Sequence, residues 1–270
     1  MPELPEVETT VRGLAQLLDG EILARVEPRR ADLRRAIPVD LRQRMQGARV
    51  TKLHRRAKYG IIDTDRGDSL IFHLGMSGKW RIDADPLQTH DHLILETGAG
   101  RVLALNDPRR FGSLDLVRTD AHDSFPPFAA LGPEPLGNAF NARYLRSKLS
   151  GRKSPIKALL LDQCVVAGLG NIYVCEALNI AGISPVRKGG SLSKSGLDRL
   201  VLAIRDVLTA AIEAGGSTLR DYARPDGELG YFSNQWRVYG REGQACACGN
   251  PVLRRINSGR STFYCAKCQR

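Results

Sequence analysis

Four cysteines crowded into the last twenty-five residues constrain this chain more than any other feature. They stand as Cys246-Ala247-Cys248 and Cys265-Ala266-Lys267-Cys268. A segment this short cannot bury enough apolar surface to fold alone. Two turns bearing paired thiolates can instead offer four tetrahedral sulfurs to one Zn2+ ion, which replaces the missing core. The second pair has the usual two-residue gap, whereas the first has a single residue between its cysteines. Residues i and i+2 of an extended backbone project to one side, so Cys246 and Cys248 can still converge through a tighter chelate. No histidine lies beyond His122, so no imidazole in this region can substitute. Free thiols are the alternative; the pattern favours one structural zinc on Cys246, Cys248, Cys265 and Cys268. Cys164 and Cys175 stand apart and read as buried small hydrophobes.

The charge around these cysteines is one-sided. From Arg237 to Arg270 there are seven Lys/Arg and one acid, Glu242. A second excess runs from Arg25 to Lys58, with twelve Lys/Arg against Glu27, Asp32 and Asp40. A solvated face is the bland reading of such runs, but arginines on a zinc hairpin more often meet phosphate. The net charge of +11 and pI near 9.7 point to a polyanionic partner, nucleic acid before an anionic membrane. Two separated basic segments suggest a groove with two walls. No apolar run approaches the ~20 residues that span a bilayer. The acidic start MPELPEVE lacks the basic and apolar regions of a signal peptide. A cytoplasmic chain is therefore expected, where cysteines serve as thiols or metal ligands rather than disulfides.

Upstream of the cysteines the pattern changes twice, with no internal repeat. Val7, Val11, Leu14 and Leu18 recur at helical spacing, with Pro5 suited to a first turn, so Glu6 to Leu18 is expected to be a helix. From about Glu21 to Val117, short apolar runs are cut by turn residues. Gly60–Asp63, Leu70–Leu74, His92–Glu96 and Val102–Leu105 read as strands of an antiparallel sandwich or barrel. Phe125 to Pro135 reads as a linker. Beyond it, Ala142–Leu149, Pro155–Gln163, Ile172–Leu178 and Ser193–Ala214 read as helices, the last ended by Gly215-Gly216. Strands first and helices second make an α+β multidomain chain rather than a doubly wound sheet.

The amino terminus carries unusual chemistry. Initiator Met is normally trimmed when proline follows, which would leave Pro2 with a free secondary amine. An α-amine is about a tenth to a sixth uncharged at pH 7, against roughly 0.04% for lysine. Such a nitrogen can attack a sugar C1′ and form an iminium without special burial. Glu3 and Glu6, three residues apart, share one helical face beside it, and either can act as general acid or base. Acids in a first turn also simply complement the helix dipole, and these residues alone favour that reading.

Several segments together resemble bacterial formamidopyrimidine-DNA glycosylases. They are Pro2-Glu3-Leu4-Pro5-Glu6-Val7-Glu8, Arg55-Arg56-Ala57-Lys58-Tyr59, His73-Leu74-Gly75-Met76-Ser77-Gly78 and Asp107-Pro108-Arg109-Arg110-Phe111-Gly112. Gly168-Leu169-Gly170-Asn171-Ile172-Tyr173 and Arg260-Ser261-Thr262-Phe263-Tyr264-Cys265 complete a co-linear match over nearly the whole chain. The resemblance implies an N-terminal catalytic helix plus antiparallel β-sandwich over 1–133. It further implies a helix–two-turn–helix DNA-binding domain over 134–225, then the end of a lesion loop and a C-terminal zinc ribbon over 226–270.

The resemblance also assigns roles. Pro2 would be the nucleophile that displaces an oxidised purine and forms a Schiff base with C1′; Glu3 would shuttle the proton at the sugar, reversing the dipole reading. Glu6 would hold the hydrogen-bond network. Lys58 would contact phosphate and assist β-elimination, and Arg260 would assist δ-elimination. Met76, Arg109 and Phe111 would fill the hole left by the flipped base, although alone Met76 and Phe111 read as core or turn packing. Asn171 would bind phosphate at a helix start, where an N-cap role is the bland reading. His90 and Arg152 align with further DNA contacts. The adjacent His90-Asp91-His92 lacks a nearby third metal ligand. Asp221–Gln235 corresponds to the loop that closes over the base. The expected partner is damaged double-stranded DNA, gripped by a monomer. The rivals are an endonuclease VIII-type glycosylase for oxidised pyrimidines and a non-catalytic zinc-ribbon DNA-binding protein. Leu4 and the set Met76, Arg109 and Phe111 favour the purine enzyme.

Overall fold

The computed structural model describes residues 1–217, 231–257 and 259–270, and it divides into two compact units. The first comprises Met1–Ala129 with Ala214–Tyr231, and the second Ala130–Glu213 with Phe232–Arg270.

In the first unit, helix α1 (Leu4–Leu18) begins two residues before its expected start. The reason is a reciprocal cap. The Glu6 carboxylate accepts the Glu3 backbone N–H at 2.9 Å while the Glu3 side chain accepts the Glu6 N–H, so the first turn closes around Pro5. The apolar stripe Val7, Val11, Leu14 and Leu18 is buried in the main core. The strands are β1 (Leu23–Pro28), β2 (Val50–Arg56), β3 (Tyr59–Thr64), β4 (Asp68–His73), β5 (Lys79–Ile82), β6 (Asp91–Thr97), β7 (Val102–Asn106) and β8 (Ser113–Arg118), with a short helix α2 (Leu41–Met45) after β1. They form two antiparallel four-stranded sheets, ordered β1-β6-β7-β5 and β2-β3-β4-β8. Their apolar faces share one core that includes Val26, Leu53, Ile62, Leu70, Phe72, Trp80, Leu93 and Leu105. Gly60 is required there because a Cβ would sit 2.1 Å from the Phe72 ring. The expected sandwich is present.

The expected linker is partly structured. Pro126–Ala129 forms a short helix, α3, and buried Phe128 packs edge-on against Tyr59 with ring centroids 5.3 Å apart. Two aromatic side chains in a turn-rich stretch find a sheet face to cover, which turn signals alone do not reveal.

The second unit is helical: α4 (Ala142–Leu149), α5 (Ile156–Leu161), α6 (Asn171–Ile180) and α7 (Lys194–Glu213). Asn141 caps α4 by accepting the Tyr144 N–H at 3.0 Å. Helix α7 ends as expected before Gly215 and Gly216, both at positive φ. Strands β9 (Leu253–Asn257) and β10 (Arg260–Tyr264) make an antiparallel hairpin, with Gly259 at φ 71° in its turn. Its small core joins Val238, Val252, Cys246 and Cys265 to Cys175. Cys175 is the buried small hydrophobe expected of it, but Cys164 is exposed. Cys164 lies between α5 and α6, where its backbone N–H is donated to Asp162 at 2.9 Å and the side chain is left at the surface.

Candidate active site and nucleic-acid contacts

Pro2, Glu3 and Glu6 are all buried at the head of α1, and Met1 before them is exposed. Glu6 is fully buried, with its carboxylate fixed at both ends. One oxygen accepts the Glu3 N–H, and the other accepts the Ser217 N–H at 2.8 Å. The approach of Ser217 depends on Gly216 at φ +84°, where a Cβ would stand 3.3 Å from the Glu6 Oε1. Ser217 closes a bridge with Tyr231. Of the expected loop 221–235, residues 221–230 lie outside the described residues, and Phe232–Gln235 is a 3-10 turn.

Lys58 sits in the two-residue turn of the β2–β3 hairpin, closed by the pair Arg56 and Tyr59 with Ala57 at φ 52°. The turn is clamped to α1. Arg55 donates Nε–H to Glu8 at 2.9 Å and Nη1–H to the Ala57 carbonyl at 2.8 Å. Burial alone would raise the Glu8 carboxyl, but bonds and charge from Arg55 and Arg12 outweigh it and hold Glu8 below the usual range. The clamp keeps Lys58 mostly buried at a fixed height on the sheet.

Two neighbouring turns carry the expected wedge. Met76 is 37% and Phe111 44% exposed, so neither is a core residue. Gly75, at φ +62°, lets the turns touch: a Cβ there would lie 2.4 Å from the Phe111 carbonyl carbon. Asp107 ties them together. Its carboxylate accepts the Ser77 hydroxyl at 2.6 Å and the Gly112 N–H at 2.8 Å, and its carbonyl bonds His92 Nε2 at 3.0 Å. The Arg109 guanidinium carbon lies 4.8 Å from the Phe111 ring centroid, a cation–π contact that couples two wedge residues. Exposed apolar side chains held on so many buried polar anchors form a surface built for contact.

His90 is exposed beside this region, whereas His92 is buried, and burial holds its imidazole below the usual range. Asp91 gives its carboxylate to Arg81, Asn106 and the Gln88 N–H, so these three residues serve the fold and one exposed imidazole. Sequence reasoning missed His73. Burial, reinforced by the charges of Lys58, Arg34 and Arg35, pulls it down to about 4. The neutral ring accepts the Gly75 N–H on Nδ1 at 3.0 Å and so orients the Met76 turn. Its only signal in the sequence was its place at the head of the segment that carries Met76.

In the second unit Arg260 opens β10 and is exposed, as is Arg152. Asn171 is the first residue of α6; Gly170 is the N-cap, which replaces the expected capping role of Asn171. Its amide is used elsewhere, donating Nδ2–H to the Ser261 carbonyl at 2.9 Å, while its buried Oδ1 has no hydrogen-bond partner among the described residues. Buried Lys157, also missed, donates to the same carbonyl at 3.0 Å and to Thr262 Oγ1 at 2.7 Å. The residue after Arg260 is thus fixed from two helices. Glu176 performs a similar service for the finger, accepting the N–H groups of Arg237, Val238 and Tyr239 at 2.8, 3.0 and 2.8 Å.

The four finger sulfurs converge. Cys246 and Cys268 Sγ are 3.9 Å apart, Cys248 and Cys265 Sγ are 3.5 Å apart, and all four lie within 4.8 Å of one another. A tetrahedral ion with sulfurs at ~2.3 Å requires separations of about 3.8 Å, which these bracket. All four sulfurs, those of the shortened first pair included, are therefore close enough together to hold one metal ion. An Asn250 backbone N–H and neighbouring thiols draw Cys248 down to about 6, while the thiols of Cys248 and Cys265 push Cys268 up to about 12. Among the described residues, no helix is long and apolar enough to cross a membrane.

The profile of the formamidopyrimidine-DNA glycosylase N-terminal domain matches residues 1–114, and that of the family's H2TH domain matches residues 131–223. Formamidopyrimidine-DNA glycosylases of Rhizorhabdus wittichii and Novosphingobium aromaticivorans are 67% and 64% identical over 270 residues, with full coverage of both chains. The crystal structure of the MutM (Fpg) protein from Thermus thermophilus superposes with a TM-score of 0.88 at 42% identity, covering 99% of this chain and 98% of that one. Lactococcus lactis Fpg in complex with an abasic-site DNA superposes with a TM-score of 0.92 at 34% identity, covering 99% of each chain.

Proposed function

The chain belongs to the formamidopyrimidine-DNA glycosylase family, and from that premise we propose that it excises oxidised purines from double-stranded DNA and cleaves the strand at the resulting site. It is a DNA glycosylase with AP-lyase activity, acting in base-excision repair on 8-oxoguanine and formamidopyrimidines. The observation that carries this reading is the buried start of α1, where Pro2 and Glu3 lead into the helix and Glu6 in its first turn is fixed at both oxygens. The relatives' solved complexes hold a Fapy-dG DNA and an abasic-site DNA, which favours this chemistry over a binding module.

Removal of Met1 frees the Pro2 nitrogen. Its lone pair attacks C1′, and the glycosidic bond breaks with its electrons on the departing base, which takes up the proton that the Pro2 nitrogen gives up. Glu3, as the acid, protonates O4′ as the C1′–O4′ bond opens, leaving an iminium between Pro2 and C1′. Loss of a C2′ proton then expels the 3′ phosphate, and a second elimination expels the 5′ phosphate. Lys58 and Arg260 hold these phosphates, and Glu6 keeps the first turn in place. Met76, Arg109 and Phe111 enter the vacated stack, offsetting part of the few kcal/mol that flipping costs. His90 and Arg152 contact the backbone, as do Asn171 and the start of α6.

By function the chain divides into the catalytic helix and sandwich at 1–133, the helix–two-turn–helix segment at 134–225 and the finger segment at 226–270. Cys246, Cys248, Cys265 and Cys268 hold one structural Zn2+, supported by the sulfur spacing and the all-thiolate donor set. The enzyme works as a cytoplasmic monomer on nucleoid DNA.

The test is borohydride trapping of the full chain, freed of Met1, on an 8-oxoguanine duplex. A covalent adduct lost in Pro2→Gly is expected. Absence of any adduct, or faster trapping on an oxidised pyrimidine, overturns the reading.

A further inference from the structure

Away from the first turn, two side chains of the β2–β3 pair and one from a 3-10 segment converge without a role in the proposed reaction. His54 on β2 pairs with Ile61 on β3, two residues before Asp63, so His54 and Asp63 are diagonal neighbours on one face. His54 Nε2 is 2.8 Å from Asp63 Oδ2. His122, from the 3-10 segment Thr119–Ser124, brings its Nε2 to 3.6 Å from Asp63 Oδ1. All the ligand-type atoms lie within 4.8 Å of one another.

A hydrogen-bonded His–Asp pair explains two of these three residues. It does not explain His122, whose buried Nε2 has no hydrogen-bond partner among the described residues and stands 3.6 Å from Asp63 Oδ1, beyond hydrogen-bond reach. Leaving such an atom unsatisfied costs about 1–3 kcal/mol. We propose that His54 Nε2, the Asp63 carboxylate and His122 Nε2 form a second metal site, for one divalent ion of the zinc class. Two imidazoles and a carboxylate suit Zn2+, with a fourth position for water.

Tetrahedral ligands at ~2.0–2.1 Å stand about 3.4 Å apart. The two histidines face different oxygens of Asp63, at 2.8 and 3.6 Å, so an ion is reached by opening the His54–Asp63 contact and drawing His122 in, within a cluster whose ligand atoms already lie within 4.8 Å of one another. Each imidazole ligates as the neutral ring through an unprotonated Nε2: a neutral ring carries its proton on Nδ1, and a ring protonated on both nitrogens releases the Nε2 proton to solvent. Asp63 is already oriented from outside: Ser69 donates its hydroxyl to Oδ1 at 2.6 Å and is itself 2.8 Å from Thr119 Oγ1. Such outer hydrogen bonds are what fix a ligating carboxylate. A cavity of about 390 Å³, lined by His54, His122, Asp123 and Phe128, gives an ion and its water a way in. Arg55 also lines it, with its charge held by Glu8. Occupancy ties the 3-10 segment to the strand pair whose turn carries Lys58.

The experiment uses the full chain with its cysteine site already loaded, dialysed against buffered micromolar ZnCl2 and measured by metal analysis. Two zinc ions per chain are expected in the parent and one in His54→Gln and in His122→Gln, with second-site affinity reduced more than about tenfold. Zinc should also raise the Tm of the parent above that of its one-zinc form, and not raise it in either variant. A single zinc in the parent, or a second ion retained by both variants, overturns the proposal. The stoichiometry of the parent decides the matter even if a variant folds poorly, and loss of DNA cleavage leaves it untouched.

Discussion

The carboxylate of Glu6 accepts the backbone N–H of Ser217 at 2.8 Å, joining the first helical turn to a segment 211 residues further along the chain. The same side chain caps Glu3, so one buried group positions both the proposed nucleophile's neighbour and the residues that lead into 218–230. Glu6→Gln replaces one acceptor oxygen with a donor, which must then face a backbone N–H. A cost of about 1–3 kcal/mol is expected, read as a lower Tm. Displacing the first turn should slow single-turnover excision by about a hundredfold, with little change in affinity for duplex DNA. An unaltered excision rate would remove Glu6 from the network.

Gly216 makes that contact possible, and its φ of +84° is strained for any residue with a Cβ. Gly216→Ala should cost about 1–2 kcal/mol and slow excision in the same sense as Glu6→Gln. Because both changes act on one hydrogen bond, the double variant should be little worse than either single one, which a double-mutant cycle checks.

Phe111 is exposed, yet its backbone is pinned against Gly75 and its ring lies beneath Arg109. Replacing a stacked ring costs about 1–3 kcal/mol per base, or roughly 10- to 100-fold. Phe111→Ala should therefore weaken excision from a paired lesion by that factor. On a single strand, where no stack needs filling, the loss should nearly vanish. Equal losses on both substrates would return Phe111 to a packing role.

What the sequence revealed depends on how local the determinant is. Helix α4 has the expected bounds because its apolar spacing and Asn141 cap sit within a few residues. The sandwich strands were legible from short apolar runs between turns. The zinc-type cluster was legible because closely spaced thiolate pairs suit few roles besides ligation, even with one gap shortened. Lys157 was not: in a helical pattern it reads as a solvated cation, and its acceptors, the Ser261 carbonyl and the Thr262 hydroxyl, lie 104 and 105 residues away. Ser217 was invisible for the same reason. His122 carries no periodic or motif signal, and Asp63, its neighbour in space, is found only by sheet register.

Arg260 starts a hairpin strand whose next residue is held by Asn171 and Lys157. A phosphate contact there contributes a released counterion, so Arg260→Ala should lower the slope of log K against log salt by about 1. Strand scission should also stop earlier, with β-elimination product accumulating over δ-product on a denaturing gel. Cys248→Ser should go further. Removing one of four sulfurs releases the metal and weakens DNA binding about tenfold or more, since the whole hairpin that carries Arg260 loses its support. An unchanged salt slope in Arg260→Ala would contradict the first expectation, and metal-free protein that binds and nicks normally would contradict the second.

His73 provides the pH test. Its folded value of about 4 lies below the ordinary 6.5, because burial and the charges of Lys58, Arg34 and Arg35 oppose the imidazolium. The unfolded chain therefore takes up a proton near pH 6.5 that the folded chain refuses until about 4. Stability from this group is fully present above pH 6.5 and is lost as pH falls from there to about 4, with no further loss below that. The total is on the order of 3 kcal/mol. His73→Gln keeps an acceptor for the Gly75 N–H but cannot titrate, so the fall in urea stability between pH 7 and 4 should be shallower by that amount. If the variant and parent decline in parallel, the neutral buried imidazole is not what supports the Met76 turn.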